Sequence, residues 1–505
     1  MARTIEGSSA EIRVILGAME GEAAVHPEQA RDDDNVPAQY LYRRGSVLVR
    51  EQDIERVHDL LSDLGVHFSE EEEETVYRDR QRHPRPGVRP VIPGAVRLVW
   101  SDMDEDRVPE ILDQVDARLG LGTARPDHLL VISSHPCAAA EPVPGKDAPF
   151  PGVTDDSSCN GEGVVVVIVD TGLAPGYDTH PWLANGVNGD PDELIVGDDI
   201  EHFGGHGTFV AGCLRAIAPR AEVSVQGTLT VVTGTPSLTR TGAGWESDLA
   251  YQLTEALKQD PDILVMTYAT ESRENLSLLG FDVAWETRLQ HAKGLVFLAP
   301  AGNDSSSTRE WPAAFDWVLS VGALSANWQT RADFSNFGDW VDLYAPGEDL
   351  VNAFATGRYT YVLPNQGVPT ANFTGMAKWS GTSFSTPFVA ALIADRMSVT
   401  GESGHRAAQS LLTFAWTQFI PGVGAVLFPG QACCDIRGRC QCHGQRHRCG
   451  CGRCLLHEWA RLERPPDPRG RTRERVAAPS AGRAPGAQSM TQSVTTGAPA
   501  CSPPG

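Results

Sequence analysis

Residues 164–169 are five valines and one isoleucine with no polar residue among them, and Asp170 closes the run. A strand with one wet face alternates apolar and polar residues, so a run without a polar position has to be covered on both faces. That is the situation of a strand inside a parallel sheet. Parallel neighbours need long crossover connections, and the chain provides them. Residues 223–226, 263–268, 295–299 and 318–321 read as further strands, and Leu249, Leu253, Ala256 and Leu257 mark one face of an intervening helix. The pattern predicts an α/β domain over residues 163–430, a parallel sheet with helices on both faces. Ligands of such sheets bind in the crevice outside the carboxyl ends of the strands, which is where Asp170 falls.

Two more motifs bring chemistry to that crevice. His206 stands between Gly205 and Gly207 and opens the apolar run 208–214, so a base is expected at a helix N-terminus with little bulk beside it. Ser383 follows Gly381 and Thr382 and precedes a helical apolar pattern over 384–397, with Pro387 expected in its first turn, where proline is tolerated. A serine hydroxyl is a weak nucleophile at neutral pH. It needs a base to take its proton and a third group to hold that base in the right tautomer. Residues 298–303, Leu-Ala-Pro-Ala-Gly-Asn, end another strand in an amide side chain, Asn303, suited to stabilising a developing oxyanion.

The order Asp170, His206, Ser383, each in its local motif, resembles the subtilisin-like serine peptidases, peptidase family S8. Phe-Ser-Asn-Phe-Gly at 334–338 and Trp-Val-Asp-Leu-Tyr-Ala-Pro-Gly at 340–347 are similar to that family's stretch between the oxyanion asparagine and the serine. The resemblance implies a serine endopeptidase acting on polypeptides through an acyl-enzyme. Ser383 would attack, His206 move the proton, Asp170 orient His206, and Asn303 with the Ser383 backbone N–H hold the oxyanion. Thr267, Tyr268 and Ala269 align with the strand that pairs with substrate. Ala269 replaces a usual glycine there, which narrows the first specificity pocket. After His206 the chain lacks the insertion that forms a tight calcium site in many relatives, and neither metal nor cofactor is expected.

Ahead of this domain, residues 1–40 are polar and acidic and are expected to be disordered. Residues 41–135 read as strand 46–50, a helix marked by Ile54, Val57, Leu60, Leu61 and Leu64, strand 75–77, strand 95–100, a helix marked by Val108, Ile111, Leu112, Val115 and Leu119, and strand 128–133. The order β-α-β-β-α-β is that of a small α+β ferredoxin-like domain. The family resemblance implies a pro-domain able to bind the active site in cis; an unrelated regulatory domain is the alternative. Residues 136–162, rich in proline, glycine and acids, read as a linker.

The net charge of −23 is uneven: the last 75 residues hold 12 arginines, no lysine and 5 acids, leaving the rest near −30. So acidic a body argues against nucleic acid as the partner. No signal peptide and no membrane span is visible, and the body cysteines are only Cys137, Cys159 and Cys213, which predicts a cytoplasmic protein without a disulfide framework. Residues 431–505 contain Cys433, Cys434, Cys440, Cys442, Cys449, Cys451 and Cys454, with His443, His447 and His457, at irregular spacings and with almost nothing apolar beside them. They read as a disordered Cys/Arg/Pro-rich tail that the catalytic domain does not need; a thiophilic metal module is the other reading. Two functional rivals remain open at this stage. One is a catalytically inactive protein that binds a partner through its acidic body and N-terminal domain, and the other is a peptidase dedicated to maturing a single peptide or acting as a regulated cytoplasmic effector.

Overall fold

A computed structural model describes residues 15–19, 22–27, 39–69, 85–100, 107–132, 141–145, 148–153, 160–228, 242–365, 368–431, 439–440 and 447–448. Its N-terminal part consists of β1 (Ala23–Pro27), β2 (Gln39–Arg50), α1 (Ile54–Asp63), β3 (Val88–Ile92), β4 (Ala95–Val99), α2 (Val108–Leu119) and β5 (Ala124–Val131). The strands form an antiparallel sheet in the order β5-β2-β4-β3, with β1 also on β2. The alternation of β2 explains its position. Val47 and Val49 point to one face and share a core with Val57 and Leu61 of α1 and Ile111, Leu112 and Val115 of α2. Leu48 points to the other face, into a core that includes Leu249, Leu253, Phe281 and Ala284 from farther along the chain.

Three sequence expectations differ from this arrangement. Residues 15–19 and 22–27 are packed rather than loose: Ile15, Met19 and Ala23 are buried against Leu129, Val131 and Trp245, because β1 has a strand edge to pair with. The second strand of the small domain is Val88–Ile92, joined to β4 through Pro93 and Gly94. Its apolar pattern is broken by Arg89 and Pro90, which an edge strand tolerates. The strand expected at 75–77 lies outside the described residues. The linker reading also changes, since β6 (Val143–Pro144) is paired to Ala377 and Lys378, far along the chain.

The main sheet contains β7 (Val165–Asp170), β8 (Val187–Gly189), β11 (Glu222–Gly227), β13 (Ile263–Met266), β14 (Val296–Pro300), β15 (Val318–Leu324) and β16 (Leu343–Pro346). Between β8 and β11 come two short strands, β9 (Ile195–Val196) and β10 (Asp199–Ile200), and the helix α3 (His206–Ile217). Before β13 come β12 (Ala243–Trp245) and α4 (Glu246–Ala256), and α5 (Leu279–Thr287) follows it. All seven strands of the main sheet are parallel, in the order β16-β15-β14-β13-β7-β11-β8. From β7 the chain passes to β11 on one side and returns to β13 on the other, so the strand order reverses at β7 and a crevice opens at its carboxyl end.

A long hairpin, β17 (Leu350–Asn365) and β18 (Val368–Trp379), leads into α6 (Thr382–Thr400) and α7 (Gly404–Ala415). Just past the expected boundary at 430, the Gln431 side chain accepts the Phe428 N–H at 2.9 Å. Of the tail, residues 439–440 pair with 447–448, and the expectations for the remainder lie outside the described residues. No helix among the described residues is long and apolar enough to cross a membrane.

Charged groups bind the N-terminal sheet to α4 and α5. Arg50 forms a two-pronged pair with Glu286 at 2.6 and 2.8 Å, and Arg125 reaches Asp282 at 2.9 Å. Asp127 accepts the backbone N–H and the hydroxyl of Ser247 at 3.0 and 2.8 Å in the first turn of α4, and Glu246 accepts the Gly280 N–H at 2.7 Å in the first turn of α5. Both helix N-termini thus receive a carboxyl group, which satisfies N–H groups the helices leave open.

Burial pushes the Asp127 carboxyl up to about 7, against the pull of Arg43. Its folded-state value lies above its ordinary value of 3.8, so the stability it contributes is present below that value and is lost as pH rises through about 7. Melting curves from about pH 4 to pH 8 should therefore fall more steeply for the wild type than for Asp127→Asn, by on the order of a few kcal/mol across the range. Parallel curves for the two proteins would contradict this.

Candidate active site

Asp170 is the last residue of β7, and its carboxylate is fully buried beneath the turn that follows. Both carboxylate oxygens lie 2.9 Å from Nδ1 of His206, the first residue of α3. The close approach of strand end and helix start depends on glycine. A Cβ on Gly207 would run into the Gly172 carbonyl, and Gly205 has a φ of +86°. The ring of His206 packs edge-on against Trp379, with centroids 5.3 Å apart, and beside Phe384 at 5.2 Å, which leaves the imidazole little room to turn.

Asp170 is itself held. It accepts the Thr171 N–H at 2.6 Å on Oδ1 and the Thr267 hydroxyl at 2.5 Å on Oδ2. Thr171 and its neighbourhood rest on a second buried carboxyl, Asp192. One oxygen of Asp192 accepts the Thr171 hydroxyl at 2.9 Å and the Gly205 N–H at 2.7 Å, and the other accepts the Leu194 N–H at 3.0 Å. Burial raises its carboxyl to about 7 despite those three donors.

Ser383 lies in the first turn of α6, a helix buried from Thr382 to Met397. Pro387 sits in the second turn rather than the first, and it has no N–H to give to the Ser383 carbonyl four residues back. The adjacent Thr382 orients Asn303: its N–H and its hydroxyl both donate to Asn303 Oδ1 at 2.9 Å. With Oδ1 engaged in this way, the amide end of Asn303 is the donor. The turn that carries it is fixed by Asn336, whose Oδ1 accepts the Asp304 and Ser306 N–H groups at 2.9 Å and whose Nδ2 donates to Glu310 at 2.8 Å. Gly302 has a φ of +98°, and a Cβ there would run into the Glu310 and Asn336 side chains. Burial, reinforced by the charge of Asp304, holds the Glu310 carboxyl well above the usual carboxylate range.

The three residues expected to face substrate behave differently from one another. Thr267 turns its side chain back to Asp170, and Tyr268 is buried edge-on against Phe281 with centroids 6.4 Å apart. Ala269 offers its backbone, and the strand it pairs with is the end of β5: Val131 N–H donates to the Ala269 carbonyl at 3.0 Å and Ala269 N–H to the Val131 carbonyl at 2.9 Å. On its other edge β5 pairs with β12, Val131 opposite Ala243 and Leu129 opposite Trp245. The Ile132 N–H donates to the Gly242 carbonyl at 3.0 Å, and the Ser383 hydroxyl reaches the Ile132 carbonyl at 3.5 Å. Farther along, β6 pairs with Ala377 and Lys378 of β18, and Glu141 beside it accepts the Val362 N–H at 2.9 Å and the Tyr359 hydroxyl at 3.2 Å.

The sequence pattern of the subtilase family matches residues 161–421, a little over half of the chain. The chain belongs to the subtilase family. Among curated relatives, this subtilase is 30% identical over 240 residues to the thermophilic serine proteinase of Bacillus sp. (strain AK1), covering 47% of this chain and 53% of that protein. It is 27% identical over 232 residues to thermitase of Thermoactinomyces vulgaris, covering 46% of this chain and 73% of that one. The subtilase thus spans about half the length of the first of these relatives. The crystal structure of fervidolysin from Fervidobacterium pennivorans, described as a keratinolytic enzyme related to subtilisin, superposes with a TM-score of 0.51 at 21% identity, over 79% of this chain and 61% of that one, a likeness of fold.

The roles of Asp192, Glu310, Asn336 and the Thr267 side chain have no local signature in the sequence, because their partners lie far along the chain. For Thr267 the consequence can be measured. Thr267→Val keeps the shape and removes a hydrogen bond to a buried carboxylate, an interaction worth about 1.5–3 kcal/mol. The expected result is a fall of roughly 10- to 100-fold in kcat for peptide hydrolysis with KM little changed. An unchanged kcat would mean that Asp170 is held well enough without it.

Proposed function

We propose that this subtilase is a serine endopeptidase that hydrolyses peptide bonds through an acyl-enzyme. The Ser383 oxygen attacks the substrate carbonyl as its proton passes to His206 Nε2. The same proton then goes to the departing amine, and a water molecule, activated in turn by His206, releases the acyl group. Asp170 holds His206 with Nδ1 protonated. Asn303 and the Ser383 N–H donate to the oxyanion. The observation that carries this reading is the Ile132 carbonyl, 3.5 Å from the Ser383 hydroxyl in a strand paired along both edges, with the next residue, Phe384, packed 5.2 Å from the ring of His206 in its buried pair with Asp170. An extended polypeptide substrate would add to Gly242–Trp245 and Ala269 in the same manner. The serine proteinase names of its relatives support the same conclusion.

We also propose that residues 41–135 are a ferredoxin-like pro-domain whose end binds the cleft in cis. The strand order 4-1-3-2 of its four central strands, with a helix after the first and the third, supports this, as does the seat of Leu129 to Ile132 between β12 and Ala269. Autoprocessing would then cut between Ile132 and Glu141. Purified wild-type protein should label with a serine-directed fluorophosphonate and lose its N-terminal part by a cut in that interval, as read by mass spectrometry. Ser383→Ala should neither label nor be cut, and it should keep only the roughly 10³- to 10⁴-fold rate over water that oxyanion and binding contacts supply. A Ser383→Ala variant as active on casein as the wild type overturns the catalytic assignment. An active enzyme with its N-terminus intact overturns processing and leaves a permanent regulatory domain.

A further inference from the structure

Asp192 touches neither the imidazole nor the nucleophile, yet its bonds go to the residues beside the acid and beside the base. It is 3% exposed, in a turn after β8, and every hydrogen bond described for its side chain comes from a donor: the Thr171 hydroxyl, the Gly205 N–H and the Leu194 N–H. Thr171 follows Asp170, and Gly205 precedes His206. We infer that Asp192 is a positioning residue of the catalytic centre, whose carboxylate clamps the turn after Asp170 to the turn before His206. The inference rests on the catalytic reading of Asp170 and His206 given above.

The chemistry of the hydroxyl makes the clamp directional. Thr171 has one hydroxyl proton, and it goes to Asp192; a lone pair is thereby turned toward the Gly207 N–H, which donates to it at 3.1 Å. Asp192 and Thr171 together therefore fix the residues on both sides of His206, Gly205 directly and Gly207 through the hydroxyl. Thr171 in turn gives its own N–H to Asp170 Oδ1 at 2.6 Å, so a shift of Thr171 rotates the carboxylate that orients the base. A buried carboxyl is a costly way to join two turns, because an apolar residue would avoid its desolvation. What an apolar residue could not do is accept from three donors at fixed angles. A misplacement of about 1 Å at reacting groups costs on the order of 10²-fold in rate, so a clamp of this kind acts on the rate without touching substrate.

Asp192→Asn presents an amide N–H₂ to at least one of the three donors and should loosen the clamp while keeping the side chain's volume. Expected outcomes are a kcat lowered by about 10- to 100-fold, with KM for a peptide substrate within about twofold of wild type, at an active-site concentration counted by fluorophosphonate labelling. Thr171→Val breaks the same link from its other end. Because the two residues act as one unit, the double variant should be no slower than the slower single variant, whereas Thr171→Ser, which keeps the hydroxyl, should stay near wild type. A second readout does not need turnover. The His206 Nδ1–H proton, hydrogen-bonded to Asp170, should give a low-field NMR resonance in the Ser383→Ala background, and Asp192→Asn should shift it upfield and speed its exchange. Losses that add in the double variant, a kcat unchanged by both single variants, or a resonance unmoved by Asp192→Asn would each overturn the clamp. If Asp192→Asn fails to fold, Thr171→Val alone decides by the same measures. Failure of fluorophosphonate to label the wild type would count against the catalytic reading, and the resonance would still test the clamp.

Discussion

Burial of β7 on both faces is the constraint from which the rest follows. A strand of valine and isoleucine cannot face water on either side, so helices have to cover both sides of the sheet, and parallel neighbours have to bring those helices as crossovers. Because β7 is also where the strand order reverses, its carboxyl end opens into a crevice. The first polar residue after the run, Asp170, is delivered there fully buried. An acid in that position needs donors, and it has three, the Thr171 N–H beside it and His206 and Thr267 from farther along the chain, while Asp192 holds Thr171 by accepting its hydroxyl.

Much of this was legible in the sequence, for reasons that are local. The strand ending in Asp170, the glycines around His206 and the helix behind Ser383 each carry their explanation within about ten residues, in apolar periodicity and in the small residues that tight turns need. The two helices of the N-terminal domain were legible on the same grounds, from Val57, Leu61, Ile111 and Leu112.

Other features depend on partners that no local pattern records. Val88–Ile92 is a strand only because β4 pairs with it across a Pro-Gly turn, and its Arg89 and Pro90 hide the alternation. Residues 23–27 read as loose until β2 offers them an edge. Asp192 stands in an acidic stretch, Asp-Pro-Asp-Glu at 190–193, that looks like a solvated turn, and nothing in it announces a carboxyl 3% exposed. Thr267 was expected in a strand facing substrate; its hydroxyl is instead drawn back to the buried Asp170, a partner 97 residues away that no local pattern records. Pro387 was expected one turn too early because the helix starts at Thr382, ahead of the apolar pattern.

The strand seated at Ala269 and the strand seated at Ala377 belong to the same polypeptide as the cleft they flank. Their local concentration is set by tether length and not by how much protein is present, and for short tethers it is in the millimolar range. If the N-terminal part fills the cleft in cis as proposed, dilution would not empty it, and a free peptide of ordinary micromolar affinity would compete poorly for it. On the proposed processing, opening of the cleft would be a first-order event, timed by each molecule on its own, so a population of these chains would become available as a clock does rather than as a titration.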